Sequence, residues 1–324
     1  MPRIAVFGAG AIGCWVGGRL AAGGADVTLI GRARVIDELR GGLRVSEMDG
    51  GGFTVTPQLA TEAAAATGAD LVIVTVKSAA TAEAARALAG ATGVIVSMQN
   101  GVRNADTLRA ALPDRRVIAG MVPFNVVRPE PGRYHRASAG VLMFESGVQL
   151  LTDACRAAAL PFEERDDMPA VQWAKLLMNL NNAINALSGV PLAQELADRD
   201  FRRCLAAAQR EALDVLAAAK LPIAKLTILP AGWIARLLPA PDGVFRRLAR
   251  RIIAIDPQAR SSMWDDLEAK RTTEIDYIQG EVVALADKLG LTAPVNAKLI
   301  GLIREAETGG RRDFTGSELL RELR

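Results

Sequence analysis

The chain has 324 residues, of which 50% are hydrophobic and 23% are charged, and its formal net charge is +3. This composition excludes a disordered or collagen-like chain, and the length predicts about two domains at roughly 150 residues each. The small charge excess gives no reason to expect a nucleic-acid partner. No apolar run approaches the roughly 18 residues of a membrane span, so we expect no membrane partner.

The cysteines and the single histidine narrow the possible chemistry. Cys14, Cys155 and Cys204 lie far apart and form no C-x-x-C pair, which favours a reduced, cytoplasmic protein without a thiolate metal site. Most Ser-His-Asp, Cys-His and histidine-ligated metal schemes are excluded, because His135 is the single histidine of the sequence. It lies in a segment that reads as a polar turn. We expect no metal, and acid–base chemistry from lysine, aspartate, glutamate or a cofactor.

A glycine-rich turn near the N-terminus predicts a dinucleotide site. Residues 3–7 and 26–30 read as buried strands flanking a helix, and the first strand leads into Gly8-Ala9-Gly10-Ala11-Ile12-Gly13. In this context G-x-G-x-x-G allows a tight turn at Gly8, approach of a pyrophosphate at Gly10 and close helix packing at Gly13. The helix N-terminus offers N–H groups to the phosphates. A merely structural turn is the alternative.

The end of the second strand favours NADP over NAD. NAD-binding domains usually place an acidic residue there, whereas this chain has Gly31-Arg32-Ala33-Arg34. A guanidinium binds a 2′-phosphate bidentately, so we predict that Arg32 holds that group. The alternative is that both arginines are solvated loop charges.

The rest of the first half alternates strands and helices. Strands are predicted at 71–76, 93–98 and 117–121, helices at 79–89 and 103–112, and a hairpin at 43–56. This pattern predicts a doubly wound parallel sheet over 1–168, with ligands at the carboxyl ends of its strands. Lys77 and Asn100 follow two such ends, where a functional role and an ordinary loop position weigh about equally.

Beyond Pro169 the strand signals stop, which predicts an all-helical domain over 169–324. Within the helical stretch 173–188, Lys175, Asn179 and Asn182 form a stripe at spacings of four and three. The stripe either faces a substrate or belongs to a polar network. A lysine is the natural proton donor for a carbonyl that receives hydride, because burial lowers its pKa from about 10.4 toward neutrality.

Two helix starts are predicted farther along the chain. Asp256-Pro257 reads as an N-cap and first residue of a helix that carries Ser262. Thr273 and Asp276 have capping-box spacing, which places a second start beside Glu274. On one straight helix Ser262 and Glu274 would lie about 18 Å apart, which is too far for both to hold one small substrate. A break between the two helices is therefore needed to bring both residues toward one pocket.

These features together resemble the ketopantoate reductase (2-dehydropantoate 2-reductase) family. The resemblance covers nearly the whole chain and rests on the glycine turn, Asn100-Gly101, residues 173–179 and Ser261-Ser262-Met263 with 273–280. It implies an α/β protein with an N-terminal Rossmann-type domain and an all-α C-terminal domain for substrate binding and dimerisation. The implied activity is NADPH-dependent reduction of a 2-keto acid, most directly of ketopantoate to (R)-pantoate in pantothenate and coenzyme A biosynthesis.

The resemblance also implies roles for individual residues. Lys175 is the expected proton donor, and Glu274 the carboxylate that bonds the substrate hydroxyl and orients that lysine. The expected substrate contacts are Asn100, Asn179, Asn182 and Ser262. The expected cofactor contacts are Gly8, Ala9, Gly10, Ala11, Ile12, Gly13, Arg32, Lys77 and Asn100.

Two departures from the family pattern keep other functions open. Ala183 stands where the family commonly has a second asparagine, a place that Asn182 or Asn185 would take. Residues 221–255 form a longer segment than expected, which reads as a lid, an oligomer contact or a surface helix pair. The alternatives are a related NAD(P)-dependent 2-hydroxyacid dehydrogenase with another substrate, or a non-catalytic NADP-binding sensor. The expected partner is a small 2-keto acid, and a homodimer is the candidate assembly.

Overall fold

The computed structural model describes residues 1–249 and 258–324. They divide into two compact units, Met1–Met168 and Pro169–Arg324. No helix in these two described ranges is both long and apolar enough to cross a membrane.

The first unit contains two sheets and five α-helices. Its strands are β1 Arg3–Phe7, β2 Asp26–Ile30, β3 Leu43–Ser46, β4 Gly52–Val55, β5 Gln58–Ala60, β6 Leu71–Val74, β7 Val94–Ser97, β8 Val117–Met121, β9 Val126–Glu130, β10 Arg133–Arg136, β11 Leu142–Glu145 and β12 Phe162–Arg165. Its helices are α1 Ala11–Ala22, α2 Ala33–Leu39, α3 Thr81–Ala87, α4 Asn104–Ala111 and α5 Gln149–Ala157, with 3-10 turns at Ala63–Ala66 and Ser78–Ala80.

The larger sheet has eight strands in the order β12-β11-β8-β7-β6-β1-β2-β5. The six strands from β5 to β8 are parallel, and their order along the sheet is the 3-2-1-4-5-6 of a doubly wound Rossmann domain. This confirms the predicted α/β fold class. Strand β11 pairs antiparallel with β8, so the far edge of the sheet is mixed. The central strand β6 is apolar throughout, as burial on both faces requires, and all its residues are buried.

The smaller sheet has the order β4-β3-β10-β9 and explains two features of the sequence. Strands β3 and β4 are the predicted hairpin. The interpretation of His135 as part of a turn was wrong, because it lies within β10. Its Nδ1 is 3.0 Å from the hydroxyl of Ser46 on β3, and this contact joins two strands of the small sheet.

Helix α1 lies between the two sheets, which accounts for its internal glycines. A Cβ at Gly17 would come within 2.6 Å of Leu29 on β2, and one at Gly18 within 2.5 Å of Val45 on β3. Glycine at these positions lets one helix approach both sheets closely.

The regular elements of the second unit's described residues are all helices. Helix α6, Met168–Asn179, begins at the boundary between the units, and the helices that follow are α7 Asn181–Ser188, α8 Leu192–Ala197, α9 Arg199–Ala218, α10 Ala231–Leu237, α11 Asp242–Ala249, α12 Ser262–Glu268, α13 Gln279–Lys288, α14 Pro294–Glu307 and α15 Gly316–Glu322, with a 3-10 turn at Ile275–Tyr277.

Candidate active site

The glycine turn after β1 has the geometry that its sequence predicts. Gly8 has a φ of +118°, a conformation that favours glycine, and a Cβ there would lie 2.8 Å from the backbone of Val76. A Cβ at Gly13 would lie 2.2 Å from the Gly8 carbonyl oxygen, so helix α1 can close onto the turn only with glycine. Nothing lies within 4 Å of a Cβ at Gly10, so the backbone there is open to a ligand.

The same turn leaves donors at the start of α1. The amides of Gly8 and Ala9 both donate to the carbonyl of Ile30, so they are used within the fold. The amides of Ala11 and Ile12 belong to the first turn of α1, where an α-helix provides no acceptor. This first turn contains no acidic residue. Phosphate oxygens are well matched to such a helix start.

Arg32 lies beside the glycine turn, at the end of β2. A Cβ at the preceding Gly31 would touch Ala9 at 2.6 Å, so the two segments meet closely. Arg34 forms an ion pair with Glu38 at 3.5 Å. Arg32 is exposed and makes no ion pair within the described residues, which leaves its guanidinium available for an anion.

Lys77 and Asn100 follow the carboxyl ends of β6 and β7, the next two strands of the sheet beyond β1. Both residues are exposed. With the glycine turn and Arg32 they form one row along the carboxyl edge of the β7-β6-β1-β2 portion. The structure therefore brings together all the residues of the first unit that the sequence proposes for cofactor binding.

A buried polar network, which the sequence did not reveal, connects the loops that carry Lys77 and Asn100. The Gln99 amide donates to the Val76 carbonyl at 3.0 Å and to the Thr81 hydroxyl at 2.8 Å. Thr81 in turn donates to the Asn104 side chain at 2.7 Å, and the Asn104 amide donates to the Asn100 carbonyl. The bonds of Gln99 and the bond between Thr81 and Asn104 join residues 18 to 23 positions apart, so spacing alone gave no sign of them.

Lys175 and Asn179 lie one helical turn apart on α6. Lys175 is half-buried, and burial lowers the pKa of its ammonium to about 8. Asn179 is 9% exposed and is the last residue of α6. A lysine in this state gives up a proton near neutral pH, which an exposed lysine does not do.

The stretch 173–188 is two helices, so its interpretation as one continuous helix was wrong. Helix α6 ends at Asn179, α7 begins at Asn181, and Leu180 is the joint between them. Two side-chain amides reach this region. Gln209 donates to the Leu177 carbonyl at 3.1 Å, and Gln279 donates to the Leu180 carbonyl at 2.8 Å. Insertion of side chains into a helix ladder is a known cause of such breaks.

The asparagines of α7 have different roles. Asn185 is fully buried, donates to Glu195 at 2.9 Å and accepts from the backbone amide of Ser261 at 2.8 Å. It therefore joins α7 to α8 and to the start of α12. Asn182 is half-buried, and no hydrogen bond of its side chain is found within the described residues. Of the asparagines of α7, Asn182 is the one that is not fully enclosed in the described structure.

Glu195 is a buried carboxyl that the sequence did not single out. One of its oxygens accepts from Asn185 and Asn181, while Oε1 has no partner within the described residues. Burial raises the pKa of this carboxyl to about 8, and the two amide hydrogen bonds oppose the rise. Its side chain is thus largely uncharged at neutral pH.

Ser262 is the exposed first residue of α12. The preceding Ser261 is the N-cap, and its hydroxyl accepts from the Trp264 amide at 3.2 Å and donates to the Asn182 carbonyl at 3.1 Å. The predicted start at Asp256-Pro257 lies outside the described residues. The helix carrying Ser262 in the described chain begins at Ser262 itself.

The predicted break before Glu274 is confirmed, but the predicted capping box is wrong. Helix α12 ends at Glu268, and the half-buried Glu274 precedes the 3-10 turn Ile275–Tyr277. The hydroxyl of Thr273 accepts from the Ile275 amide two residues later, while Asp276 forms an ion pair with Arg304 at 2.7 Å. No α-helix starts at these described residues, and α13 begins at Gln279.

The long segment after residue 221 is described as far as residue 249, where it forms the short helices α10 and α11. The fully buried Arg202 of α9 anchors it by donating to the carbonyls of Leu238 and Ala240, and to the Asp242 carboxylate at 2.7 Å. Trp233 is 58% exposed on this segment. Residues 250–255 lie outside the described part.

No group of three or more histidine, cysteine, aspartate or glutamate side chains in the described ranges is placed to hold a metal ion.

Two family models match the chain. The model for ketopantoate reductase PanE/ApbA matches residues 4–148, and the model for the ketopantoate reductase PanE/ApbA C-terminal domain matches residues 167–307.

Individual proteins show the same similarity. The chain is 30% identical to a 2-dehydropantoate 2-reductase of Halobacterium salinarum, over 95% of this chain and all of the relative. It is 27% identical to an enzyme of the same name from Archaeoglobus fulgidus, over 95% of this chain and 99% of the relative. A PanE/ApbA family ketopantoate reductase of Ralstonia eutropha superposes with a TM-score of 0.82 at 30% identity, covering 95% and 99% of the two chains. A D-mandelate dehydrogenase solved with NADH and anilino(oxo)acetate superposes with a TM-score of 0.80 at 19% identity, covering 95% and 99%, and shares the fold.

Proposed function

The chain belongs to the ketopantoate reductase family, and from this premise we propose that it is an NADPH-dependent reductase of a 2-keto acid, with ketopantoate as the first candidate substrate. In general terms, the chain is an oxidoreductase. The observation that carries the proposal is Lys175, whose ammonium has a pKa of about 8 because of burial and stands one turn from Asn179.

NADP(H) fits the residues at the carboxyl edge of the large sheet. The open backbone at Gly10 and the first-turn amides of Ala11 and Ile12 suit a pyrophosphate. Arg32 supplies the cation for a 2′-phosphate, and no acidic residue stands at the end of β2 to bind a free 2′-hydroxyl. When bound, the reduced nicotinamide supplies the hydride.

The chain's own residues complete the reduction. Lys175 in its ammonium form polarises the keto oxygen and donates a proton to it as the carbonyl becomes a hydroxyl. Glu274 accepts a hydrogen bond from that hydroxyl and orients the lysine. Asn100, Asn179, Asn182 and Ser262 are proposed to hold the polar groups of the substrate. Two hydrogens, one as hydride and one as proton, thus reach one carbonyl group.

A 2-hydroxyacid dehydrogenase with a different substrate is the second candidate, because Ala183 removes one amide from the family's pattern. Ala183 is fully buried, so its methyl group supplies no polar contact. The homodimer and the cytoplasmic location stay predictions.

The proposal is tested by steady-state oxidation of NADPH at 340 nm with ketopantoate, 2-ketoisovalerate, pyruvate and benzoylformate. We expect the highest kcat/KM with ketopantoate. A clear preference for another keto acid would support the second candidate. Binding of NADPH, followed by fluorescence, without turnover of any keto acid would refute both and leave a non-catalytic sensor.

A further inference from the structure

One buried hydrogen bond connects the two chain segments that carry the proposed catalytic residues. Gln279 donates from Nε2 to the carbonyl oxygen of Leu180 at 2.8 Å. Leu180 is five residues beyond Lys175, and Gln279 is five residues beyond Glu274. The bond therefore ties the segment of Glu274 to the joint between α6 and α7.

The surroundings of this bond make it a rigid connection. Gln279 and Leu180 are both fully buried, so water does not compete for the amide or the carbonyl. Leu180 also donates its own amide to the Leu176 carbonyl at 3.0 Å, which fixes the joint to the last turn of α6. Asn179 precedes the joint and Asn182 follows it, so both depend on its geometry.

The feature of Gln279 that an apolar side chain lacks is its Nε2 donor, which binds the Leu180 carbonyl. Its Oε1 is buried and has no partner within the described residues, which costs free energy that an apolar side chain of similar size would not incur. Filling space is thus a poor explanation for an amide at this position. Donation to Leu180 is what a methionine or leucine would fail to provide.

We propose that Gln279 is a positioning residue for the reduction, holding Glu274 and the α6–α7 joint in register through the Leu180 carbonyl. This inference rests on the proposed function. It adds a residue that touches neither substrate nor cofactor but sets the relative placement of groups that do. Misplacing such groups by about 1 Å costs up to roughly 100-fold in rate.

Gln209 provides a matched control. Its amide donates to the Leu177 carbonyl at 3.1 Å, one turn before the joint, and its Oε1 is likewise buried without a partner within the described chain. However, Gln209 belongs to α9, and its hydrogen bond to Leu177 does not involve Gln279 or the Glu274 segment. Gln209→Met and Gln279→Met therefore remove the same kind of bond from neighbouring carbonyls, and only the second releases Glu274.

The first measurement compares steady-state kinetics and thermal unfolding of both variants. We expect a similar loss of Tm in the two, a loss of about 10- to 100-fold in kcat for Gln279→Met alone, and an unchanged KM for NADPH. Gln279→Glu should recover activity at low pH, where its protonated carboxyl donates, and lose it as pH rises. Equal kcat losses in the two methionine variants, or none in Gln279→Met, would overturn the inference.

The second measurement does not need turnover. The pH dependence of Lys175 acylation, followed by peptide mass spectrometry, should have its midpoint near 8 in the wild type. Loosening the joint admits water, so Gln279→Met should raise this midpoint, while Gln209→Met should not. If the wild type reduces no keto acid, the proposed function fails, but the labelling still tests the role of Gln279. Identical midpoints in all three proteins would exclude that role.

Discussion

Lys175 should impose an alkaline limit on turnover. Burial lowers the pKa of its ammonium to about 8, whereas an exposed lysine titrates near 10.4. If only the ammonium donates the proton, about nine-tenths of the enzyme is competent at pH 7 and about one-tenth at pH 9. The rate of reduction should therefore fall about tenfold over this range, where an exposed lysine would leave it nearly constant.

The assay is the initial rate of NADPH oxidation between pH 6.5 and pH 10 at subsaturating ketopantoate, since kcat/KM reports the free enzyme. The substrate carboxylate stays ionised throughout this range and adds no titration of its own. Lys175→Met should lower kcat/KM by about 100- to 10,000-fold and remove the alkaline limit. A limit that persists in Lys175→Met, or a wild-type midpoint near 10.4, would refute the assignment of this lysine as the proton donor.

The same titration has a consequence for folding. A lysine whose pKa is lowered on folding destabilises the protein while it is charged, so its cost is fully present below pH 8 and disappears as pH rises to 10.5. The fall in pKa from 10.5 to about 8 corresponds to at most about 3 kcal/mol. Contact with water reduces the real cost. Lys175→Met should accordingly raise the free energy of unfolding at pH 7, and its advantage should shrink by pH 10. A destabilised Lys175→Met at pH 7 would contradict this.

Three further changes test other parts of the structure. Arg32→Ala should raise the KM for NADPH by about tenfold or more and leave the KM for NADH unchanged. Arg34→Ala, the control, should change neither KM. Equal losses for both cofactors in Arg32→Ala would refute the assignment of Arg32 to the 2′-phosphate. Gly10→Ala should keep the Tm and weaken NADPH binding, because a Cβ there meets no protein atom, whereas Gly13→Ala should lower the Tm as well; calorimetry and fluorescence titration separate the two effects. Glu195→Gln should flatten the dependence of Tm on pH. In the wild type, a carboxyl whose pKa is raised to about 8 in the folded state lowers stability as pH rises from about 4.5 through 8. Parallel Tm curves for the two proteins would show that this carboxyl does not titrate.

Local sterics and periodicity determined most of the fold. The strand–glycine turn–helix unit was predictable because the backbone conformation at Gly8 and the close approach at Gly13 exclude other residue types. The alternation of apolar strands and helices predicted the doubly wound sheet, since each element carries its own pattern. The row formed by the glycine turn, Arg32, Lys77 and Asn100 was also predictable, because carboxyl ends of adjacent parallel strands meet at one edge.

Features that depend on contacts between distant residues could be seen only in the folded chain. The break at Leu180 has no local signal, because the donor that reaches its carbonyl, Gln279, stands 99 residues later. His135 was misread as a turn residue because its strand pairs with residues 89 positions earlier, at Ser46. The raised pKa of Glu195 likewise comes from burial among helices that no sequence spacing describes. Sequence determined which groups the chain carries and on which elements, while long-range packing decided their solvation, their partners and hence their protonation.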